Sequence, residues 1–440
     1  MLETTYSHLG CAFGRIPIVI HLGDFLQLKP TGQISLIDDL DAKKPDGAWK
    51  YPEVTTEIQH AQEVFCNVPD VFELQGTMRF VRGDSIIEFL QCMRAGRRFP
   101  ANVWKAFEAT FAKDLPGKPD PRHQDSNFAE GFGMAIYWET LSRMMSHRAV
   151  MDARKLAVPL LLVQCADECH GLEKQVAFRF LNQLNPHNTG HMHGILPVHV
   201  GMRLRLLAKF NAELGLVQET TAIVIDFEMH EQDRLRYNAC GPGELFHPSF
   251  LPSGFWVSVD NYDKCPVWEY FMETLEDGAN AFDQVGPGPS LAFSRQVLKE
   301  RLARSMWFLP AMETTVKFSS TQKYDIRRCG FQATHAQFLT STASQGQTLR
   351  SGVTIDCARL PPTGGPRDMD DDVWWLHLYV MFSRPTRMSD MLFLRPPPRS
   401  LLERGPPANV EAQLQKFTER AAVCKEGALS IARELGLLPA

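Results

Sequence analysis

Apolar runs broken by turn residues organise this chain. The run at 16–22, IPIVIHL, has strand length and β-branched content, and the pair Gly23-Asp24 closes it, which predicts a buried strand of an α/β sheet. Ile86, Ile87, Phe89, Leu90 and Met93 recur at helical spacing, with Asp84 placed as N-cap and Gly96 as stop. Residues 113–133 are rich in Pro, Gly and charge and read as a linker or surface insertion, followed by a helix over about 135–155. AVPLLLVQC, at 157–165, predicts a second buried strand, and EKQVAFRFLNQL, at 173–184, the helix after it. From 195 to 316 the texture changes. GMRLRLLAKF and TTAIVIDFEM alternate like antiparallel strands around a stretch crowded with turn residues, so this region reads as a small β-rich insertion. Strand–loop–helix alternation returns in 331–398, and an amphipathic helical tail follows a Pro-rich break. There is no internal repeat.

Composition narrows the class. The 440 residues suffice for two or three domains, and an apolar fraction of 44% with 10% aromatics is that of a folded chain. A net charge of −5 advertises no global affinity for nucleic acid, which would have to rest on local basic patches. Ten scattered cysteines without a framework suit reduced thiols. No run approaches the roughly 18 apolar residues of a membrane span, and the N-terminus carries no signal or transit pattern, so the expectation is a soluble intracellular protein with no membrane partner.

Three separated stretches carry the chemistry: GDFLQLKP at 23–30, TASQGQTL at 342–349, and LYVMFSRPTRMSDMLFL at 378–394. In that order they resemble motifs III, V and VI of superfamily 1B DNA helicases, of the petite-integration-frequency and RecD-like type. ELQGTMRFVRGD, leading into FLQCMRAG, looks like that branch's motif IV region. LPVHVGMRLRLLAKFNAELGLVQETTAIVIDFE is similar to its segment of the form GM-R-hydrophobic, N, GLVNGT. The resemblance covers about residues 16–396.

It implies an α/β fold of RecA-like, P-loop NTPase-type parallel-sheet lobes with a β-rich insertion and a C-terminal helical tail. The expected division is a remnant of the first lobe at 1–100 and a linker with helix at 101–155. The second lobe begins at 156–194, is interrupted by the β-rich insertion at 195–316 and resumes at 317–398, and the tail occupies 399–440. The implied activity is ATP-dependent 5′–3′ DNA unwinding, with ATP and Mg²⁺ as cofactors of the full-length enzyme and single-stranded DNA or a forked duplex as partner. Roles in DNA repair and recombination, and a nucleus or mitochondrion as compartment, come from the resemblance alone.

A motor that hydrolyses ATP between two lobes needs groups on both to touch the γ-phosphate and lose it on hydrolysis. Gln27 is a neutral, double-ended hydrogen-bonder suited to sensing phosphate or the attacking water. Arg79 and Arg384 are forks matched to phosphate oxygens, which with Gln27 makes three candidate catalytic residues. Gly346 allows close backbone approach and, with Gln347, joins the nucleotide-contacting set. Thr340, Ser344 and Thr348 offer short hydroxyls where this family meets the DNA backbone, contacts that position without reading sequence. The same hydroxyls suit helix or turn capping equally well. RAGRR at 94–98 and RQVLKERLAR at 295–304 are basic enough to meet phosphate, though a solvated helix face accounts for them more simply.

Cys165-x₃-Cys169 and His187-x₃-His191 approach a zinc-finger spacing, but the stretch between them reads as a helix without the finger's hairpin, so no metal is assigned. Asp167-Glu168 mimics a metal-holding carboxylate pair, yet it follows the sensor, whereas the family places that pair before it. The string G-x-x-x-x-G-K-[ST] occurs nowhere in the 440 residues. The expectation is therefore the C-terminal part of a helicase, lacking motifs I and II, inactive in ATP turnover and holding no cofactor tightly by itself. The alternative is a degenerate, non-catalytic module that binds nucleic acid or a partner. Two departures bear on DNA grip: Gln218-Glu219 stands where the family has Asn-Gly, and Thr342-Ala343 where it has His-Lys.

Overall fold

The computed structural model describes residues 54–66, 68, 70–73, 78–114, 120–169, 186–210, 216–259, 306–316, 326–360 and 369–435, with 26, 28, 34 and 40. The strand expected at 16–22, the helix expected at 173–184 and Gln27 lie outside them.

The chain is α/β. Four strands form a wholly parallel sheet in the order Phe338–Thr340, Phe132–Ala135, Val353–Asp356, Met391–Arg395. Helix Trp138–Lys155 follows the second of these in space and packs back on it, and Asp371–Phe382 makes the crossover between the last two. The latter helix is mostly buried and apolar, so its start is set by polar residues. Asp370 caps it by accepting from Val373 N at 2.7 Å, and Asp371 and Asp372 complement the dipole of the first turn.

The central strand Phe132–Ala135 falls inside the segment read from sequence as linker and helix. It is four residues long, FGMA, without a β-branched residue, and so has no pattern to announce it. Two close backbone approaches hold it in place. Phe132 N donates to Gly352 O at 2.8 Å, and a Cβ on Gly131 would stand 2.0 Å from that same oxygen. Gly131→Ala is therefore expected to lower stability by about 1–3 kcal/mol through overpacking against backbone, read as a lower urea midpoint at unchanged m-value.

Helices Ser85–Arg94 and Ala101–Glu108 pack an aromatic cluster onto this lobe. Phe107 is its hub, with ring centroids 4.5 Å from Phe89, 5.0 Å from Phe393 and 5.9 Å from Phe382. Asp84 caps Ser85–Arg94 from the predicted position, accepting from Ile86 N at 3.0 Å, and Gly96 takes φ +57 just past its end.

The β-rich region forms a five-stranded antiparallel sheet, ordered Ala333–His335, Arg203–Leu206, Thr221–Glu228, Gly254–Val259, Met306–Pro310, whose edge strand Ala333–His335 comes from beyond the 195–316 expected for the insertion. Its core is separate from that of the parallel sheet and is built on Leu204, Val224, Phe227, Phe255, Val257 and Phe331. The run expected to be the second lobe's first strand forms Leu160–Gln164, but it pairs antiparallel with Ile195–Val198 and parallel with Leu245–Phe246, outside the four-stranded sheet. Strand Ala166–Cys169 pairs with Ile326–Gly330, which pairs in turn with Met312–Val316. The described part of the tail holds the short helix Arg399–Leu402 and the long helix Ala408–Glu434, the latter anchored where Phe417 meets Phe65 edge-on and Arg420 donates to Cys66 O at 2.6 Å. Among the described residues no helix is long and apolar enough to cross a membrane.

Candidate functional site

The site gathers on the connection between parallel strands Phe338–Thr340 and Val353–Asp356. Residues 341–349 make a run of tight turns held by their own polar groups. Thr340 Oγ1 accepts from Ala343 N at 3.2 Å, and Thr340 O accepts from Ser344 N at 2.9 Å. Ser344 is fully buried and its hydroxyl donates to Ser341 O at 2.8 Å. Gln347 folds back so that Nε2 donates to Ala343 O at 3.1 Å. Between these contacts Gly346 takes φ +77 with open space where a side chain would stand.

Both candidate arginines meet this loop. Arg79 donates from Nε to Thr348 Oγ1 at 3.2 Å and from Nη1 to Ser383 O at 2.8 Å. Arg384 is only 2% exposed, at the end of helix Asp371–Phe382. Its Nε donates to Val380 O at 2.9 Å, its Nη2 to Ser383 Oγ at 2.6 Å, and its Nη1 lies 3.5 Å from Gln347 O. The loop closes where Leu349 N donates to Arg384 O at 3.0 Å. Four residues picked out from three distant stretches of sequence, Arg79, Gln347, Thr348 and Arg384, thus share one hydrogen-bonded cluster with Ser383.

Of the remaining candidates, Gln27 lies outside the described residues. Its neighbour Leu26 is part of the hydrophobic core, and Leu28 O accepts from Gln345 Nε2 at 3.1 Å, which brings Leu28 against the same loop. The hydroxyls of Thr340 and Ser344 are engaged inside the loop, and that of Thr348 accepts from Arg79.

Sequence reasoning passed over a further member. Ser341 Oγ and His377 Nδ1 are 2.6 Å apart, joining the start of the loop to the middle of the helix that ends in Arg384. Burial pushes the His377 imidazole down to about 4, so it is neutral at pH 7 and the contact is a neutral hydrogen bond. A lone histidine in an apolar helix offers no local signal of this role.

The other constellation weighed from sequence takes a structural form. Cys165 Sγ donates to His193 O at 2.8 Å, with burial pushing the thiol up to about 12, and Asp167 pairs with Arg328 across adjacent strands. The side chains of Cys169 and His187 lie outside the described residues. Among the described residues no group of three or more His, Cys, Asp or Glu is placed to hold a metal ion.

The fold and this cluster define an α/β protein whose candidate residues converge on a loop following a parallel strand, the usual position for a ligand site in such sheets. No protein-family model matches the sequence, and no curated protein matches it. Solved structures that it is similar to include Pif1 helicase from Candida albicans, at 15% identity and TM-score 0.46, covering 90% of this chain and 67% of that one. Pif1 helicase from Bacteroides in complex with ADP-AlF3 and ssDNA is similar at 12% identity and TM-score 0.48, over 95% of this chain and 70% of that one. A third, described as the structural basis for DNA unwinding at forked dsDNA by two coordinating Pif1 helicases, is 11% identical at TM-score 0.43, over 79% of this chain and 55% of that one. The chain thus spans little more than half the length of this last relative.

Proposed function

We propose that this chain is the part of an ATP-dependent DNA helicase that closes over the nucleotide and carries the DNA-facing loop. Gln27, Arg79 and Arg384 would face the γ-phosphate, with Gly346 and Gln347 beside the nucleotide. Thr340, Ser344 and Thr348 would lie toward the DNA backbone. ATP and Mg²⁺ belong to the complete enzyme, whose phosphate loop and metal carboxylates this chain does not supply. One observation carries the reading: Arg79 bonds both Thr348, 269 residues away, and Ser383, next to Arg384, so the arginines named for phosphate stand at one loop. A loop gripped from both sides by charged forks, with an open glycine between, suits a group that must move when a phosphate leaves.

A second reading, a non-catalytic binding module, draws on Arg384 itself, whose guanidinium is buried and already bonded to Val380 O and Ser383 Oγ. One experiment separates the two. The chain is joined to a lobe supplying G-x-x-x-x-G-K-[ST] and the metal carboxylates, and ATP turnover is followed with and without oligo(dT). The helicase reading expects DNA-stimulated turnover that Arg384→Ala reduces at least about tenfold. Oligo(dT) binding without stimulated turnover, unchanged by Arg384→Ala, would sink it in favour of the module.

A further inference from the structure

Glu219 occupies a backbone conformation that its residue type disfavours. Its φ is +74, in the left-handed region where a side chain crowds the backbone and where glycine is at ease. Observed strain of this kind calls for a compensating contact. Here the carboxylate supplies one. Glu219 Oε2 stands 2.7 Å from Nη1 of Arg205, a residue only 4% exposed on the strand Arg203–Leu206.

Arg205 uses its other arm on a different part of the molecule. Its Nη2 donates to Phe338 O at 3.1 Å. Phe338 opens the edge strand of the parallel sheet, where outward carbonyls lack a neighbouring strand to satisfy them. Two residues further along, Thr340 supplies both oxygens that hold the first turn of the 341–349 loop. An unbroken line of contacts therefore runs from the insertion's hairpin through Glu219, Arg205, Phe338 and Thr340 into the candidate site. Glu219, Arg205 and Gln347 also line one cavity of about 700 Å³, beside which Ala336 N donates to Arg203 O at 2.8 Å and the His335 and Phe338 rings meet edge-on.

We infer that Glu219 is a positioning residue: by holding Arg205 on the Phe338 carbonyl it couples the β-rich insertion to the 341–349 loop and limits that loop's opening. The coupling stands on the contacts themselves, and only the meaning of the loop as a nucleotide- and DNA-facing element rests on the proposed function.

The test is hydrogen exchange on the 440-residue chain, comparing wild type with Glu219→Gly and Glu219→Gln. Glu219→Gly relieves the backbone and removes the carboxylate, so a role confined to holding the hairpin would leave the loop alone. The coupling instead expects an unchanged or higher melting temperature together with about tenfold faster exchange of the Ser344, Gln345, Gln347 and Leu349 amides. Amides of Gly254–Val259 should keep their protection. Glu219→Gln, whose amide oxygen can still accept from Arg205, should retain part of the protection that the 341–349 loop loses in Glu219→Gly. Loop exchange within twofold of wild type in Glu219→Gly, or a uniform rise through both sheets, would overturn the inference. Affinity for oligo(dT), read alongside, separates the two ideas: faster loop exchange at unchanged affinity upholds the coupling and counts against the DNA-facing reading of the loop.

Discussion

Asp167→Ala is expected to destabilise the protein by about 3–5 kcal/mol, the cost of leaving a buried guanidinium without its counter-charge. Asp167 and Arg328 face each other on adjacent antiparallel strands, with side chains 2% and 1% exposed. The pairing is bidentate, Nε to Oδ1 and Nη2 to Oδ2, each at 2.8 Å. Arginine cannot shed its proton to escape burial, so removal of the carboxylate strands the charge. Among the described residues Nη1 of Arg328 has no hydrogen-bond partner, which makes the remaining two bonds more costly to lose. Replacing both partners with apolar residues, Asp167→Leu with Arg328→Met, should recover most of the loss, because the penalty lies in the unpaired charge. The neighbouring pair Arg327–Glu313 provides the control. Its N–O separation is 3.9 Å and its side chains are 60% and 62% exposed, so Glu313→Ala should move stability by no more than about 0.5 kcal/mol. Urea midpoints of the three variants against wild type decide the matter, and an Asp167→Ala cost below about 1 kcal/mol would refute the assignment.

Stability should also fall steeply as pH drops from about 6.5 toward 4. Burial holds three imidazoles well below their ordinary value: His193 at about 3, His335 at about 3 with Arg148 adding repulsion, and His377 at about 4. His199 is displaced in the same direction, again chiefly by burial. In the unfolded chain each of these takes a proton near pH 6.5, whereas the folded protein refuses it until the pH is far lower. Between those limits the unfolded state binds more protons, so acidification favours unfolding. Each histidine contributes about 1.4 kcal/mol per pH unit, and the three together about 4 kcal/mol per unit. Above pH 7 these groups add no slope. A carboxylate acts in a separate, lower window. Hydrogen bonding to the Arg122 guanidinium holds Asp120 well below the usual carboxylate range, so its contribution is intact above the ordinary aspartate value and is lost only as pH falls below about 4. Thermal melts between pH 7.5 and 5 should show the histidine phase alone. His377→Gln should reduce its slope by about one third, and a melting temperature unchanged from pH 7 to 5 would exclude the scheme.

Much of the architecture can be read from local pattern, and the exceptions are instructive. The two runs GMRLRLLAKF and TTAIVIDFEM reappear as the paired antiparallel strands Arg203–Leu206 and Thr221–Glu228; the second keeps its alternation with Ala222 and Val224 inward, whereas the first buries Arg205 along with Leu204 and Leu206. The helix at 85–94, with its aspartate cap and glycine stop, needs no tertiary information either. The strand Phe132–Ala135 does. It is central to the parallel sheet, yet four residues with a glycine among them carry no period, and their strand state comes from neighbours on both sides.

The same division runs through the candidate site. Resemblance to helicase motifs singles out Arg79, Gly346, Gln347, Thr348 and Arg384, and residue type gives each its suitability as forked donor, short hydroxyl or side-chain-free position. Sequence alone likewise determined the α/β class, the β-rich insertion and the helical tail. Only the tertiary structure decided that Arg79 reaches Thr348, that Ser341 meets His377, and that Glu219 accepts a left-handed backbone to hold Arg205. Those contacts join residues far apart in the chain, or ask a residue to act against its own preference. A hydrophobic period records only which face is buried, and leaves unstated which distant group will be waiting there.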